Sequence, residues 1–279
     1  MTDPNSKENL EDFIRGMGEA SQVIVDENPD VLIVPMVGSV PFIDVMNIID
    51  DDFPNYKVEY VPASGSIEYL KQVLNQSFDS ILEEYSNLSA EYKEPKDQKE
   101  TYILSIDEVI SGNSMIRGVK AFNGAKSRHA TQRALEHLGM QRRDFANSEE
   151  LKNYRNELEE KIKFKSIGIE QTHGENKKHP NYLSLREEGI IIPVKVNSIV
   201  TMDRHDMMPV KYKVSGSPSN VAYKAELEKI EQTKEYIELL QEVANYVGKG
   251  EQSINIRNIT RINKGFGRVA DKAKRGKYF

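Results

Sequence analysis

Apolar residues recur at helical spacing from Glu8 to Val25, where Leu10, Phe13, Ile14, Met17, Ala20 and Ile24 fall on one face. Asn28-Pro29-Asp30 breaks that period, and a short continuous apolar run, Val31-Leu32-Ile33-Val34-Pro35, follows it. A run this short and rich in β-branched residues predicts a strand buried on both faces, as in a parallel sheet. Gly38-Ser39 come next, and Val40 to Ile49 reads as a helix with Pro41 in its first turn. Lys57 to Val61 alternates as a second strand. From Ser66 the residues Ile67, Leu70, Leu74, Phe78, Ile81, Tyr85 and Leu88 track the 3.6-residue period of a long helix. Glu91 to Glu100, charged and carrying Pro95, reads as a loop.

A third strand, Thr101 to Ile106, runs into Asp107-Glu108 and a small-residue turn, Ser111-Gly112-Asn113-Ser114. Helical spacing resumes through Val119 and Phe122, and again from Thr131 to Leu138. Arg142 to Lys165 is highly charged and reads as helix, and strands are expected at Phe164 to Ile169 and Gly189 to Met202. Glu170 to Glu188 shows little regularity, and its His173 and His179 read as exposed loop histidines. Ser217-Pro218-Ser219 is expected to precede a helix of about 28 residues with Leu227, Ile230, Ile237, Leu240, Ala244 and Val247 on one stripe. Strands alternating with helices predict an α/β fold built on a parallel sheet flanked by helices. The expected division is an α/β unit over 1–215, a long C-terminal helix over 216–250 and a basic tail over 251–279.

Composition narrows the chemistry. The 279 residues include no cysteine, which excludes thiol nucleophiles, disulfides and cysteine-ligated metals. Hydrophobic residues at 38% and charged residues at 29% describe a polar globular chain able to bury a core, not a disordered one. Met1 to Asp12 is polar and acidic, without the features of a signal peptide, and no apolar run suits a membrane helix. The expectation is a cytoplasmic protein with no membrane partner. The net charge of −6 hides two opposites: residues 251–279 hold eight Lys/Arg against two acids, leaving −12 on residues 1–250. No Walker glycine motif, dinucleotide glycine motif or Ser/His/Asp arrangement is present.

The stretch from Tyr102 to Met115 carries the chemistry. An apolar strand ends in two neighbouring carboxylates, then a turn of small hydroxyl- and amide-bearing residues opens a helix. In open parallel sheets ligands bind beyond the carboxyl ends of strands. Exposed amides at such a helix start cradle phosphate. Paired acids there accept hydrogen bonds from sugar hydroxyls or hold Mg²⁺ through water. The bland counterpart is a solvated strand-to-helix turn with a capped helix.

These residues resemble the phosphoribosyl pyrophosphate (PRPP) motif of the type I phosphoribosyltransferase family: four mostly apolar residues (Ile103 to Ile106), two acids (Asp107-Glu108), two further residues (Val109-Ile110) and a Thr-Gly-Gly-Thr-like loop (Ser111 to Ser114). Upstream, Pro29-Asp30-Val31 to Pro41 is similar to the family's Pro-Asp-strand-Arg-Gly-Gly-Leu-Pro pattern, which makes Met36-Val37-Gly38-Ser39 the pyrophosphate loop. The resemblance implies that Asp107 and Glu108 bind the ribose hydroxyls and serve catalysis, with Mg²⁺ held indirectly. It implies that Ser111, Gly112, Asn113, Ser114 and the Met115 amide cradle the 5′-phosphate. Val37 stands where the family often has a basic residue, and Asn113 replaces the second glycine. The family's mobile loop corresponds to residues 62–100, where Lys93, Lys96 and Lys99 could close over pyrophosphate, with a solvated connection as the plainer reading.

The expected fold is therefore a type I phosphoribosyltransferase-like sheet with a C-terminal helical extension. Two functions follow: a transferase that passes phosphoribose to a nitrogen base and releases pyrophosphate, or a non-catalytic regulatory or effector module that senses PRPP or a nucleotide and acts through its C-terminal helix and basic tail. Asp203-Arg204-His205-Asp206 reads first as surface hydrogen bonding and second as a base-side contact. Homo-oligomerisation is left open. The 251–279 tail, with eight cations and Phe266, Tyr278 and Phe279, is a candidate for nucleic acid or a protein partner; a solubilising tail, or one docked on the acidic body, is the alternative. Deleting 251–279 is expected to weaken nucleic-acid binding and flatten its salt dependence in a filter-binding titration. Absence of binding by the intact chain at low salt ends that assignment.

Overall fold

A computed structural model describes residues 6–36, 38–51, 53, 57–63, 70–88, 94–141, 143, 148–173, 177–203, 210–216, 223–230 and 233–250. The first helix, α1 (Lys7–Glu27), begins where the Ser6 side chain accepts from the Asn9 amide and ends at Asn28 in the left-handed conformation (φ 43°). The chain then drops straight into β1 (Val31–Met36), followed by α2 (Val40–Ile49) and β2 (Val58–Pro62). After α3 (Leu70–Tyr85) come β3 (Thr101–Val109), α4 (Asn113–Leu138), α5 (Glu149–Glu160) and β4 (Ile162–Gln171). The series closes with α6 (Pro180–Glu187), β5 (Ile191–Val196), α7 (Val200–Asp203), β6 (Val210–Gly216), β7 (Tyr223–Ile230) and α8 (Lys234–Tyr246).

Five of the strands form one parallel sheet in the order β2-β1-β3-β4-β5. This is a Rossmann-like, doubly wound arrangement, and its direction of winding reverses between β1 and β3. Right-handed crossovers require the helix that makes the leftward step and the helices that make the rightward steps to occupy opposite faces. Accordingly α2 packs with α1 and α8, whereas α3, α4, α5 and α6 share the other face.

Strand periodicity sorts the core between the faces. Leu32, Val34, Leu104, Ile106, Ile167 and Ile169 pack under α1, α2 and α8. Val31, Ile33, Ile103 and Ile162 pack under α3, α4 and α5, with Phe122 stacked on Phe164. Pro193 sits in β5, an outer strand of the sheet, where a missing backbone donor is tolerated.

Several predicted elements shift. Strand β3 continues to Val109, so Asp107 and Glu108 lie within the ladder, opposite Gly168 and Ile169 of β4. The irregular stretch before β5 contains α6, capped by the His179 side chain, which accepts from the Asn181 amide at 3.1 Å. The end of the predicted strand from Gly189 to Met202 turns instead into α7. The helix expected over 216–250 is confined to Lys234–Tyr246, since residues 223–230 form β7, antiparallel to β6. Leu227 and Ile230 fit a helical stripe, yet Tyr223, Ala225 and Leu227 also alternate, and the ladder pairs them with Gly216, Val214 and Tyr212, with Ile230 opposite Val210. No helix among the described residues is long and apolar enough to cross a membrane.

Helix α8 is fastened to α2 by a buried bond from the Tyr236 hydroxyl to Asp44. Both side chains are withdrawn from water, and burial beside the Asp44 carboxylate holds the Tyr236 phenol protonated. Tyr236→Phe keeps the ring and removes one donor from a buried carboxylate. It is expected to destabilise the fold by about 1–3 kcal/mol, read as a lower denaturant midpoint with unchanged slope. An unchanged midpoint would show that this hydroxyl adds nothing.

Candidate functional site

The site forms where β1 and β3 end side by side. Because successive strand residues face opposite ways, Asp107 shares the α4 face with Ile103 and Ser105, while Glu108 shares the α2 face with Leu104 and Ile106. Asp107 is almost fully buried. Its carboxylate accepts from the Ser39 hydroxyl at 3.0 Å, from the Glu108 amide at 2.9 Å and from the Ser114 hydroxyl. One residue thus joins the turn after β1 to the first turn of α4.

Burial pushes Asp107 up to about 6, opposed by these donors and by the Arg117 charge. Burial, reinforced by the Asp107 charge, pushes Glu108 up to about 7. Glu108 Oε2 is buried without a donor among the described residues. Its carboxylate lies against Gly38, so close that a methyl group there would overlap it. Gly38 therefore gives the acid the room that any other residue would take.

The turn leading into α4 is shaped by Gly112, whose backbone is left-handed (φ 84°, ψ 2°). Space imposes glycine there as well, because a methyl group would lie 2.5 Å from the ring of buried Tyr182. Positive φ is needed at Gly112 and not at Asn113, so an asparagine at 113 is accommodated without backbone strain. Asn113 donates instead to the Ser111 hydroxyl at 3.1 Å. The first bond of this helix runs from the Ile116 amide to the Gly112 carbonyl, so the amides of Asn113, Ser114 and Met115 precede its ladder.

The structure thus brings Gly38, Ser39, Asp107, Glu108 and the 111–115 turn together at one edge of the sheet. The Met36 and Met115 side chains belong to the core. Val37 lies outside the described residues, as do Arg204, His205, Asp206 and the 251–279 tail. Lys96 and Lys99 are placed at the opposite edge: they lead into Thr101 at the start of β3, and Lys161, just before β4, donates to the Lys96 carbonyl. They are too far along the strands to close over this site, and Lys93 is not among the described residues.

Residues that sequence reasoning passed over support the turn from behind. Lys178 donates to the carbonyls of Val109 and Ile110, both at 2.8 Å, and the His179 amide donates to Ser111 O at 2.9 Å. His179 is accordingly a half-buried helix cap and not an exposed loop residue. The Tyr182 hydroxyl donates to Glu170 at 2.6 Å, and Arg186 reaches the same carboxylate at 3.3 Å. Nothing local in the sequence marks these partners, since each contact joins residues twelve or more apart.

As for a metal, no cluster of three or more His, Cys, Asp or Glu among the described residues is arranged to hold one. With two carboxylates here, one with an oxygen lacking a donor, any Mg²⁺ would take most of its ligands from water or a bound molecule. Asp107 and Glu108 would be the residues facing it.

The raised Glu108 carboxyl makes stability depend on pH. Between its ordinary value of 4.5 and about 7 the folded state holds more protons than the unfolded state. Stability therefore falls as pH rises through that window and levels off above it. Glu108→Gln is expected to flatten much of this decline and to raise the melting temperature at pH 7.5, the full effect being at most roughly 3 kcal/mol. Asp107, also raised, retains its own decline below about pH 6. Parallel pH profiles for the variant and the wild type would refute the shifted carboxyl.

Compared with known proteins, the chain matches no family model, no curated protein and no solved structure.

Proposed function

We propose that the protein binds a ribose 5-phosphate ligand, PRPP or a nucleotide, and that it is a type I phosphoribosyltransferase-like protein. The supporting observation is the buried Asp107-Glu108 pair meeting the Gly38-Ser39 turn and the start of α4 at a reversal in the sheet. A carboxylate pair suits the two ribose hydroxyls, each of which can donate to an acid. Free amides at the opening of a helix suit the phosphate. The distance between the two functions along the chain is four residues, which matches adjoining parts of one small ligand.

In the transfer reading, a ring nitrogen of a base attacks the anomeric carbon. The new C–N bond forms as the C–O bond to pyrophosphate breaks, and that bonding pair leaves with the pyrophosphate. Mg²⁺ bound with PRPP would neutralise charge on the departing group. The protein's own part is positioning: Asp107 and Glu108 hold the ribose, and the 111–115 turn holds the phosphate.

One observation favours the second reading, a module that binds and senses without turnover. The Glu108 carboxylate occupies the space against Gly38, in the turn that would face pyrophosphate. An anion arriving there meets negative charge unless a proton or cation intervenes.

Calorimetric titration of PRPP with Mg²⁺ tests the site. An Asp107→Asn/Glu108→Gln variant is expected to lose at least about tenfold in affinity, equivalent to about 1.4 kcal/mol. Equal binding by variant and wild type would overturn the assignment. Pyrophosphate release with a panel of bases then separates the readings, because binding without turnover identifies the sensor.

A further inference from the structure

We infer that Lys178, with the backbone of His179, orients the amides of the β3–α4 turn and is a positioning residue for the phosphate of the bound ligand. This inference rests on the ribose-phosphate reading of residues 107–115. Its basis is the direction of three consecutive peptide groups. The carbonyls of Val109 and Ile110 both accept from the Lys178 ammonium at 2.8 Å, and the carbonyl of Ser111 accepts from the His179 amide at 2.9 Å.

In a planar trans peptide the carbonyl of one residue and the N–H of the next point in opposite directions. Drawing the carbonyls of 109, 110 and 111 toward residues 178 and 179 therefore turns the N–H groups of Ile110, Ser111 and Gly112 the other way. Left-handed Gly112 follows, then the amides of Asn113, Ser114 and Met115 that precede the α4 ladder. Consecutive amides on one side of a turn make a concavity that attracts anions. A carbonyl swung into that concavity would repel the same anion.

Lys178 suits this task by its chemistry. An ammonium has three donors and no acceptor, so it can hold two carbonyls at once. Its place is set by α6: His179 caps that helix, and buried Tyr182 packs against Gly112 while bonded to Glu170. The segment before α6 is thus a template against which the turn is shaped, and Lys178 acts through the backbone without touching the ligand.

The test compares the full chain with Lys178→Met, which keeps an unbranched stem, and Lys178→Arg, which keeps the donors. Each is titrated calorimetrically with Mg²⁺–PRPP, and the backbone amide resonances of Ile110, Ser111 and Gly112 are recorded without ligand. Lys178→Met is expected to weaken PRPP binding about tenfold and to move those three resonances while leaving those of β5 in place; Lys178→Arg is expected to stay within about threefold of wild type. Rescue by arginine separates positioning from general destabilisation, which melting temperatures of both variants record. Wild-type affinity in Lys178→Met overturns the inference. Failure of the wild type to bind PRPP overturns the ribose-phosphate reading instead, and the amide resonances then decide the orientation alone: unmoved resonances in Lys178→Met reject it.

Discussion

The parallel pairing of β1 with β3 sets side by side two strand ends whose following helices leave for opposite faces of the sheet. No backbone has to cross the gap between those ends, so side chains and turns alone fill it. Asp107 bridges that gap by accepting from Ser39 on one side and Ser114 on the other. The register of β3 decides this, since a one-residue slip would send Asp107 to the α2 face and Glu108 to the α4 face. Ile103 and Leu104, buried on opposite faces, hold that register.

Burying two adjacent carboxylates opposes folding, and the fold offsets it unequally. Asp107 has donors from three directions, whereas Glu108 has room against Gly38 but no donor among the described residues, and burial raises both carboxyls. Such an arrangement gives up stability in the free protein that a ligand with hydroxyl donors could restore.

Support for the turn comes from a layer that has no part in the acid pair. Helix α6 presents Tyr182 under Gly112, and the residues before it hold three carbonyls of the turn. Glycine at 112 is required twice over, by backbone angle and by the aromatic ring beneath it. The opposite end of the sheet does different work. There Tyr102 and Lys165 meet Glu27 at the close of α1, which ties the helix to the sheet far from the site.

Much of this was legible in the residues alone. A continuous apolar run must be buried on both faces, so β1 and the parallel sheet follow from Val31 to Pro35. The acids, hydroxyls and glycine of 107–114 mark by their order the passage from strand to helix, and the helical spacing of α1 needs no partner to be read. The limits were equally physical. Tyr223 to Ile230 contains residues at home in a helix, and only a partner strand at 210–216 decides between periods of two and 3.6. Lys96 and Lys99 looked like candidates to cover an anion until the direction of β3 put them at the wrong edge. Lys178, His179 and Tyr182 carry no motif, because their roles depend on where α6 packs. Local pattern determines which segments must be buried and where the acids adjoin a small-residue turn; burial of the acids, and the backbone support behind them, exist only once distant segments meet.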